Sequence, residues 1–316
     1  MDEGWAARRL RWGNRRAPAA AGFTSMPEPR TVGFFAKGRQ LASGNFLLHG
    51  HMVETLQPWE VEPPSMGFAD ELHGMAWLDH LAANGDRTAR LAAQGWVQDW
   101  IARFGRGDGP GWKPDLTGRR VLRWLHHAFF LTSGRDATEN APFFAALGRQ
   151  TAFLARRWSV ADPGLPRFEA LTGLLYAAYA LLGMEKYRAE ATQALARACV
   201  SDIGEDGSLP SRNPEELLEV FTLLSWALSA LMDAEQPIPD PLEHAVARIA
   251  PCLRTLRHAD GGLARGATGT VHHLLHAVVD LRPVGRVAQD YIGHRVFIHR
   301  LLAFDGPGQM RTVPFA

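Results

Sequence analysis

From residue 69 onward the sequence is built from a repeated pair of predicted helices. Apolar residues recur there with helical spacing, and each such segment ends at a glycine, a proline or a polar turn. The first helix of each pair is predicted to begin near Asp70, Thr117, Pro166 and Asn213. These starts are 47, 49 and 47 residues apart. A period of this length is typical of an array in which each helix pair packs on the next.

The first helix of each pair is more apolar than the second. Residues 171–182 and 217–231 carry apolar side chains almost all round, and a helix of that kind belongs inside a fold. Placing these helices on an inner ring predicts an all-α fold, an incomplete α/α toroid formed by residues 69–264. An open superhelix is the alternative arrangement of the same helix pairs.

The segments on either side of the repeat have a different texture. Residues 1–68 are interrupted by glycine and proline and are predicted to be irregular, with short strands or loops at residues 38–46. Residues 265–316 form an atypical tail with five histidines and no lysine. The abrupt change near residue 266 suggests an altered reading frame or a truncation. No metal site is predicted in the tail, because its clustered histidines lack further ligands.

Charge and cysteine content exclude several functional classes. The chain has 34 lysines and arginines against 33 aspartates and glutamates. A dedicated nucleic-acid binder would carry an excess of clustered cations, so no nucleic acid is expected as a partner. Two cysteines are too few for a disulfide framework or a four-cysteine zinc site, and no cofactor is predicted. Without a membrane-spanning run or a secretory signal, the expected location is the cytoplasm.

Charged and aromatic side chains collect at the turns that begin the inner helices. In a toroid these turns line one mouth, where arginines and helix N-termini together favour anionic ligands. We expect Arg120, Arg167, Arg212 and Glu216 to converge at that mouth. Helix capping or a plain surface role explains any one of these residues, so the hypothesis rests on their recurrence at successive turns. The candidate substrate-binding residues are His73, Arg120, Trp124, Arg167, Glu169, Arg212 and Asn213.

Several stretches between residues 38 and 264 match the pattern of one family. They include GRQLASGNF, DLTGRRVLRWLHHAFFL, PGLPRFEALTGLLYAAYALLGME and DGSLPSRNPEELLEVFTLLSWAL. The most diagnostic parts are Arg120-x-x-x-Trp124 on an inner helix and Asp206-Gly207 before a later one. In these residues the chain resembles the heparinase II/III family of polysaccharide lyases. The resemblance implies a toroid followed by a β-sandwich, a short signal-less member truncated before that sandwich, and the periplasm as the alternative location.

The resemblance also implies β-elimination on an anionic polysaccharide that contains uronic acid. Such a lyase must neutralise the uronate carboxylate, remove the C5 proton and protonate the departing oxygen. Arg167, Arg212 and Asn213 suit the first role. The catalytic candidates are His127 as the base and Glu216 as the acid or orienting group.

Two features that the family's active members usually carry are absent from the matching positions. Pro166-Arg167 stands where an Asn-His pair is usual, and residues 212–216 contain no tyrosine. His126 and His73 are the other histidines considered as the base, and trace turnover at most is expected. The alternative function is a non-catalytic toroid that binds an anionic saccharide or a partner protein. A glycoside hydrolase is a weaker third class, because no paired carboxylates can be assigned from the sequence.

Overall fold

The computed structural model describes residues 18–25, 28–107 and 109–256. Before the repeat lie helix α1 (Phe35–Ala42) and an antiparallel hairpin of strands β1 (Asn45–Leu48) and β2 (His51–Glu54). The helices that follow are α2 (Met66–Gly74), α3 (Trp77–Asn84), α4 (Arg87–Phe104), α5 (Pro114–His126), α6 (Ala128–Thr132), α7 (Ala137–Arg157), α8 (Leu165–Ala180), α9 (Arg188–Ser201), α10 (Pro214–Asp233) and α11 (Asp240–Thr255).

These helices form two layers. In the inner layer α2 packs on α5, α5 on α8, and α8 on α10, while α4, α7, α9 and α11 form the outer layer. Helix α8 is buried along nearly its whole length, whereas the outer helices keep one face exposed. The predicted all-α array of helix pairs is therefore confirmed, and its most apolar helices lie inside because there they lose the most apolar surface to water.

Local sequence signals account for the starts of the inner helices. Helices α5, α8 and α10 begin at Pro114, Leu165 and Pro214, within three residues of the predicted positions. Each has a proline in its first turn, where the missing N–H leaves no helical hydrogen bond unmade. Asn213 caps α10, since its side chain accepts a hydrogen bond from the Glu215 N–H.

The segment before the repeat is more regular than predicted. Residues 35–42 form helix α1, where a loop or strand was expected, because the helix packs on α3 and α4. Gly38 allows this contact, since a side chain there would collide with the carbonyl of His80. Asn45–Leu48 and His51–Glu54 are short strands joined by a glycine-containing turn, and the second strand lies beyond the segment in which strands or loops were expected.

The first inner helix departs from the prediction in two ways. It begins at Met66 rather than near Asp70, because the Ser65 hydroxyl caps it by accepting from the Phe68 N–H. It is also interrupted at Met75, whose φ of 58° lies in the left-handed region. The predicted single helix is thus divided into α2 and α3.

Residues 28–34, called the N-terminal strap below, cross the inner face of the array. The strap is bonded to the first and last inner helices by three hydrogen bonds: Arg30 to Asp233 (3.0 Å), Thr31 to Asp79 (2.8 Å) and the Phe34 N–H to His80 Nδ1 (3.1 Å). Gly33 makes this course possible, because a Cβ at this position would overlap the backbone of Asp79. The strap therefore spans from α10 to α3.

Helices α5 and α8 approach each other so closely that their backbones touch. A Cβ added to Gly118 would lie 2.2 Å from the carbonyl oxygen of Glu169, and one added to Gly173 would lie 2.5 Å from Gly118 Cα. Glycine is required at both positions for this approach. The contact brings the side chains of Arg119 and Glu169 side by side on the inner face.

The histidine-rich tail, expected to be atypical, falls within residues 257–316, for which no structure is described. Throughout the described ranges, every helix is too short or too polar to cross a bilayer. The same ranges contain no group of three histidine, cysteine, aspartate or glutamate side chains arranged to hold a metal ion.

Candidate functional site

A cavity of about 60 Å³ opens on the inner face, between α1, the hairpin and the inner helices. A space of this size holds a few water molecules or one small polar group. Apolar side chains such as Leu41, Leu48 and Trp77 form part of its wall. The charged residues that line it are Lys37, Glu71, Asp79, Arg119, Arg123, Glu169 and Glu219.

Arg119 and Glu169 form a bidentate ion pair in this cavity. Arg119 donates from Nε at 2.7 Å and from Nη2 at 2.9 Å to the two carboxylate oxygens of Glu169. Burial alone would lower the pKa of Arg119, but the Glu169 carboxylate raises that pKa above its ordinary value. The pair uses two of the five N–H donors of Arg119 and neutralises its charge, which weakens the attraction of Arg119 for an external carboxylate.

Asp79 is the centre of a second buried network. Its carboxylate lies 2.7 Å from His127 Nε2 and 3.4 Å from Arg123 Nε, and it accepts a hydrogen bond from the Thr31 hydroxyl of the strap. Burial alone would raise the pKa of Asp79, but Arg123 and the hydrogen bonds from His127 and Thr31 hold it well below its ordinary range. Asp79 is therefore ionised, and His127, predicted as the base, directs Nε2 toward it.

Glu219 is the cavity carboxyl that lacks such a partner. The residue is 3% exposed, and its Oε1 has no hydrogen-bond partner within the described ranges. Burial raises its pKa to about 8, with a further contribution from the nearby Glu169 carboxylate, while Arg119 and Arg123 act in the opposite direction. Glu219 is consequently protonated at neutral pH and presents a neutral carboxyl group to the cavity.

The cavity residues follow the helix repeat. Arg119, Glu169 and Glu219 are spaced 50 residues apart and occupy corresponding positions on α5, α8 and α10. Neighbouring inner helices therefore contribute one side chain each to the same level of the inner face, because equivalent positions in a helical array lie side by side.

A second level of the same repeat contains His126, Tyr176 and Trp226. The His126 ring lies 5.3 Å from the Tyr176 ring and 4.9 Å from the Trp226 ring. Burial lowers the pKa of His126 well below its ordinary value, and neither ring nitrogen has a hydrogen-bond partner in the described part of the chain. His126 is thus a neutral core histidine rather than a base that reaches a substrate.

Arg120 and Trp124, predicted to bind substrate, lie away from the cavity. Both side chains are fully buried between the two helix layers and neither lines the cavity. Arg120 donates to Gln150 at 2.7 Å and lies 4.1 Å from the Trp100 ring, and the Trp124 ring stacks on that of Phe143. Adjacent positions on a helix differ by about 100°, so Arg119 and Arg123 face the inner side while Arg120 and Trp124 face the outer helices. Arg120 therefore cannot join the predicted mouth.

His73, also predicted to bind substrate, is enclosed in the core. Its ring is buried between Trp59 and Phe104, and its Nδ1 accepts a hydrogen bond from Trp100 Nε1 at 3.1 Å. Burial lowers its pKa to about 4, and Arg120 adds to that effect. A neutral, fully enclosed imidazole of this kind stabilises the core and has no access to a ligand.

The remaining predicted residues lie outside the cavity lining, except for Glu169. Arg167 is bonded to Asp202 at 3.0 Å, and Arg212 is exposed in a turn with a φ of 50°. Asn213 donates to Glu216 at 3.2 Å, which ties both side chains to the start of α10. Their roles in substrate binding or catalysis stay predictions, as does the role of His127.

Among the charged residues that line the cavity, Glu169 was a candidate site residue, whereas six others were not: Lys37, Glu71, Asp79, Arg119, Arg123 and Glu219. A signal for two of them was present. Arg119 and Arg123 are four residues apart on an amphipathic helix and so share a face. The 50-residue spacing of Arg119, Glu169 and Glu219 was a second signal. Arg119 and Arg123 each stand one position before the residues that were chosen, Arg120 and Trp124.

Comparison with known proteins gives one relative by sequence and several by structure. No protein-family model matches the chain. It is 29% identical over 251 residues to FtsZ-localized protein C of Caulobacter vibrioides, an alignment that covers 78% of this chain and 43% of that protein. The crystal structure of heparinase III superposes with a TM-score of 0.57 at 14% identity, covering 81% of this chain and 44% of the other.

The heparan sulfate lyase HepC from Pedobacter heparinus gives a similar result, with a TM-score of 0.56 at 15% identity over 82% of this chain and 44% of that chain. The chain thus spans less than half the length of each of these proteins. At such low identities the structural likeness establishes the fold. This fold is a heparinase-like α/α toroid, as the resemblance in the sequence implied.

Proposed function

We propose that this protein is a non-catalytic, heparinase-like toroid that acts in the cytoplasm by binding a partner protein, and that the partner is FtsZ. The proposal that the protein is non-catalytic rests on one observation: the charged side chains of the inner face are paired with one another. The proposed partner rests on the likeness to FtsZ-localized protein C, whose 29% identity over 78% of this chain is about twice the identity to the lyases.

A β-eliminating lyase needs a cation that can bind the uronate carboxylate and a base that can reach the C5 proton of the substrate. On this inner face Arg119 is held by Glu169 in a bidentate pair, and Asp79 engages both Arg123 and His127. The N-terminal strap adds one more bond to the same network, the hydrogen bond that the Thr31 hydroxyl donates to Asp79. These contacts favour a scaffold over an enzyme, because substrate would have to displace existing buried ion pairs.

Co-sedimentation tests the proposal. Purified protein is mixed with FtsZ from the same organism, assembled with GTP, and the pelleted fraction is measured as FtsZ concentration is varied. We expect saturable pelleting that disappears when GDP prevents assembly. Protein that stays in the supernatant at every FtsZ concentration would contradict the choice of partner.

A second candidate is a residual uronate lyase or a receptor for an anionic saccharide. The heparinase-like fold favours it, and so does the protonated Glu219 beside Arg119 and Arg123, which could donate to a substrate oxygen. Its signature would be the absorbance of a C4–C5 double bond formed from a uronate polymer.

A further inference from the structure

The cavity contains one carboxyl group more than it has cations. Within the part of the chain that the structure describes, three cation–carboxylate pairs line it: Arg119 with Glu169, Arg123 with Asp79, and Lys37 with the nearby Glu71. Glu219 is the fourth carboxyl and is left over. His80 also lines the cavity. Its Nδ1 accepts a hydrogen bond from the Phe34 N–H and is therefore unprotonated, so the ring is neutral and does not count as a cation.

The unmatched group is deeply buried. Glu219 is 3% exposed, its Oε1 has no partner among the described residues, and its side chain lines the cavity. Buried polar atoms in native proteins are nearly always hydrogen-bonded, and an exception calls for a ligand or another explanation. A ligand that brings one positive charge would complete the fourth pair.

The walls of the cavity indicate which kind of ligand brings the positive charge. Trp77 and Leu48 supply apolar surface inside, and Val32 and Leu47 stand at the rim with 77% and 48% exposure. Leu47 is paired across the hairpin with Met52, which is also exposed, so the apolar surface continues outward from the rim. This arrangement suits an aliphatic stem that enters the cavity from a larger apolar contact, as a side chain of another protein would.

We propose that the cavity receives a basic side chain, arginine or lysine, from a partner protein, and that the Glu219 carboxylate supplies its counter-charge. In the free protein Glu219 holds a proton. When the cation enters, that proton passes to solvent and the ligand keeps its charge. The inference concerns this cavity whatever the partner is, so it can fail while binding to FtsZ stands, and the reverse.

The groups that face Glu219 set the pH dependence. Glu169 on α8 and Glu216 on the same helix raise the pKa of Glu219 in addition to burial, whereas Arg119 and Arg123 on α5 lower it, with a net value of about 8. Binding of a cation requires the ionised form, so affinity should rise about tenfold per pH unit up to about pH 8 and then level off. An anion would bind the protonated form and show the opposite trend.

Calorimetric titration with a capped arginine, Nα-acetyl-arginine amide, tests the proposal on the whole chain. The neutral isostere Nα-acetyl-citrulline amide is the ligand control, and titrations at pH 7 in two buffers of different ionisation enthalpy count the protons exchanged. We expect the arginine compound to bind with release of about one proton, and the citrulline compound to bind at least about tenfold more weakly.

Two variants locate the interaction. Glu219→Gln should weaken binding of the arginine compound by about 10- to 100-fold, and Glu205→Gln, at an exposed loop position, should leave it unchanged. If Glu219→Gln does not fold, the proton count and the pH trend of the unmodified protein decide the question. Equal binding of the citrulline compound, no binding at millimolar concentration, uptake of a proton, or tighter binding of glucuronate would overturn the proposal. Tighter binding of free putrescine than of the capped arginine would overturn the partner-protein part.

Discussion

Replacing Glu219 by glutamine should stabilise the protein at neutral pH. The ordinary pKa of a glutamate is 4.5, whereas burial, and secondarily Glu169, raise the pKa of Glu219 to about 8 in the folded state. Between these values the folded protein binds a proton that the unfolded chain does not, so stability falls as pH rises above about 4.5 and levels off above about 8. At about 1.36 kcal/mol per pH unit, the cost is about 3 kcal/mol at pH 7 and about 1 kcal/mol at pH 5. Glutamine titrates in neither state and avoids this cost.

Urea denaturation followed by far-ultraviolet circular dichroism at pH 5 and pH 7 measures the effect. The free energy of unfolding of Glu219→Gln should exceed that of the unmodified protein by about 3 kcal/mol at pH 7 and by about 1 kcal/mol at pH 5. Glu205→Gln, an exposed control, should change it by less than about 0.5 kcal/mol at either pH. A loss of stability at pH 7, or an equal gain at both pH values, would refute the reasoning.

Two further substitutions test the packing and the charge network. Gly173→Ala should destabilise the protein by at least about 2 kcal/mol, because the new Cβ meets the backbone of Gly118. Gly95→Ala, on α4 with open space around it, should be neutral or stabilising by up to about 1 kcal/mol, and equal melting temperatures for both variants in calorimetry would contradict the close helix approach. Asp79→Asn should cost about 3–5 kcal/mol in guanidinium denaturation, because Arg123 loses its buried counter-charge. A cost below about 1 kcal/mol would mean that Arg123 finds another partner.

The helices of the repeat were predictable because their signals are local. A proline in the first turn, an asparagine cap and an apolar face act within a few residues, so the starts of α5, α8 and α10 follow from the sequence alone. Helix α1 and the break at Met75 were not predictable in the same way. Both depend on contacts with elements distant in the chain, which override local preference.

Only part of the candidate site lies at the cavity. Glu169 lines it, whereas Arg120 and Trp124 each stand one position away from a lining residue, Arg119 and Arg123. The sequence of one helix does not say which of two adjacent polar stripes turns inward, because that depends on where its neighbours pack. A one-residue difference rotates the side chain by about 100°.

Which charged side chains pair with each other could not be predicted from the sequence either. Asp79 on α3 and His127, at the C-terminal end of α5, are far apart in the chain and meet only in the assembled array. The protonated state of Glu219 arises from burial, which is a property of the assembled helices.

An elimination assay tests most directly whether this toroid, proposed to bind a partner protein, cleaves polysaccharide. The purified chain, at high concentration, is incubated with heparan sulfate and other uronate polymers while absorbance of the C4–C5 double bond is recorded. We predict a rate equal to that of buffer and of the His127→Ala variant, because His127 is only 4% exposed and does not line the cavity. A steady increase in absorbance that is lost in His127→Ala would contradict this prediction and identify His127 as the base.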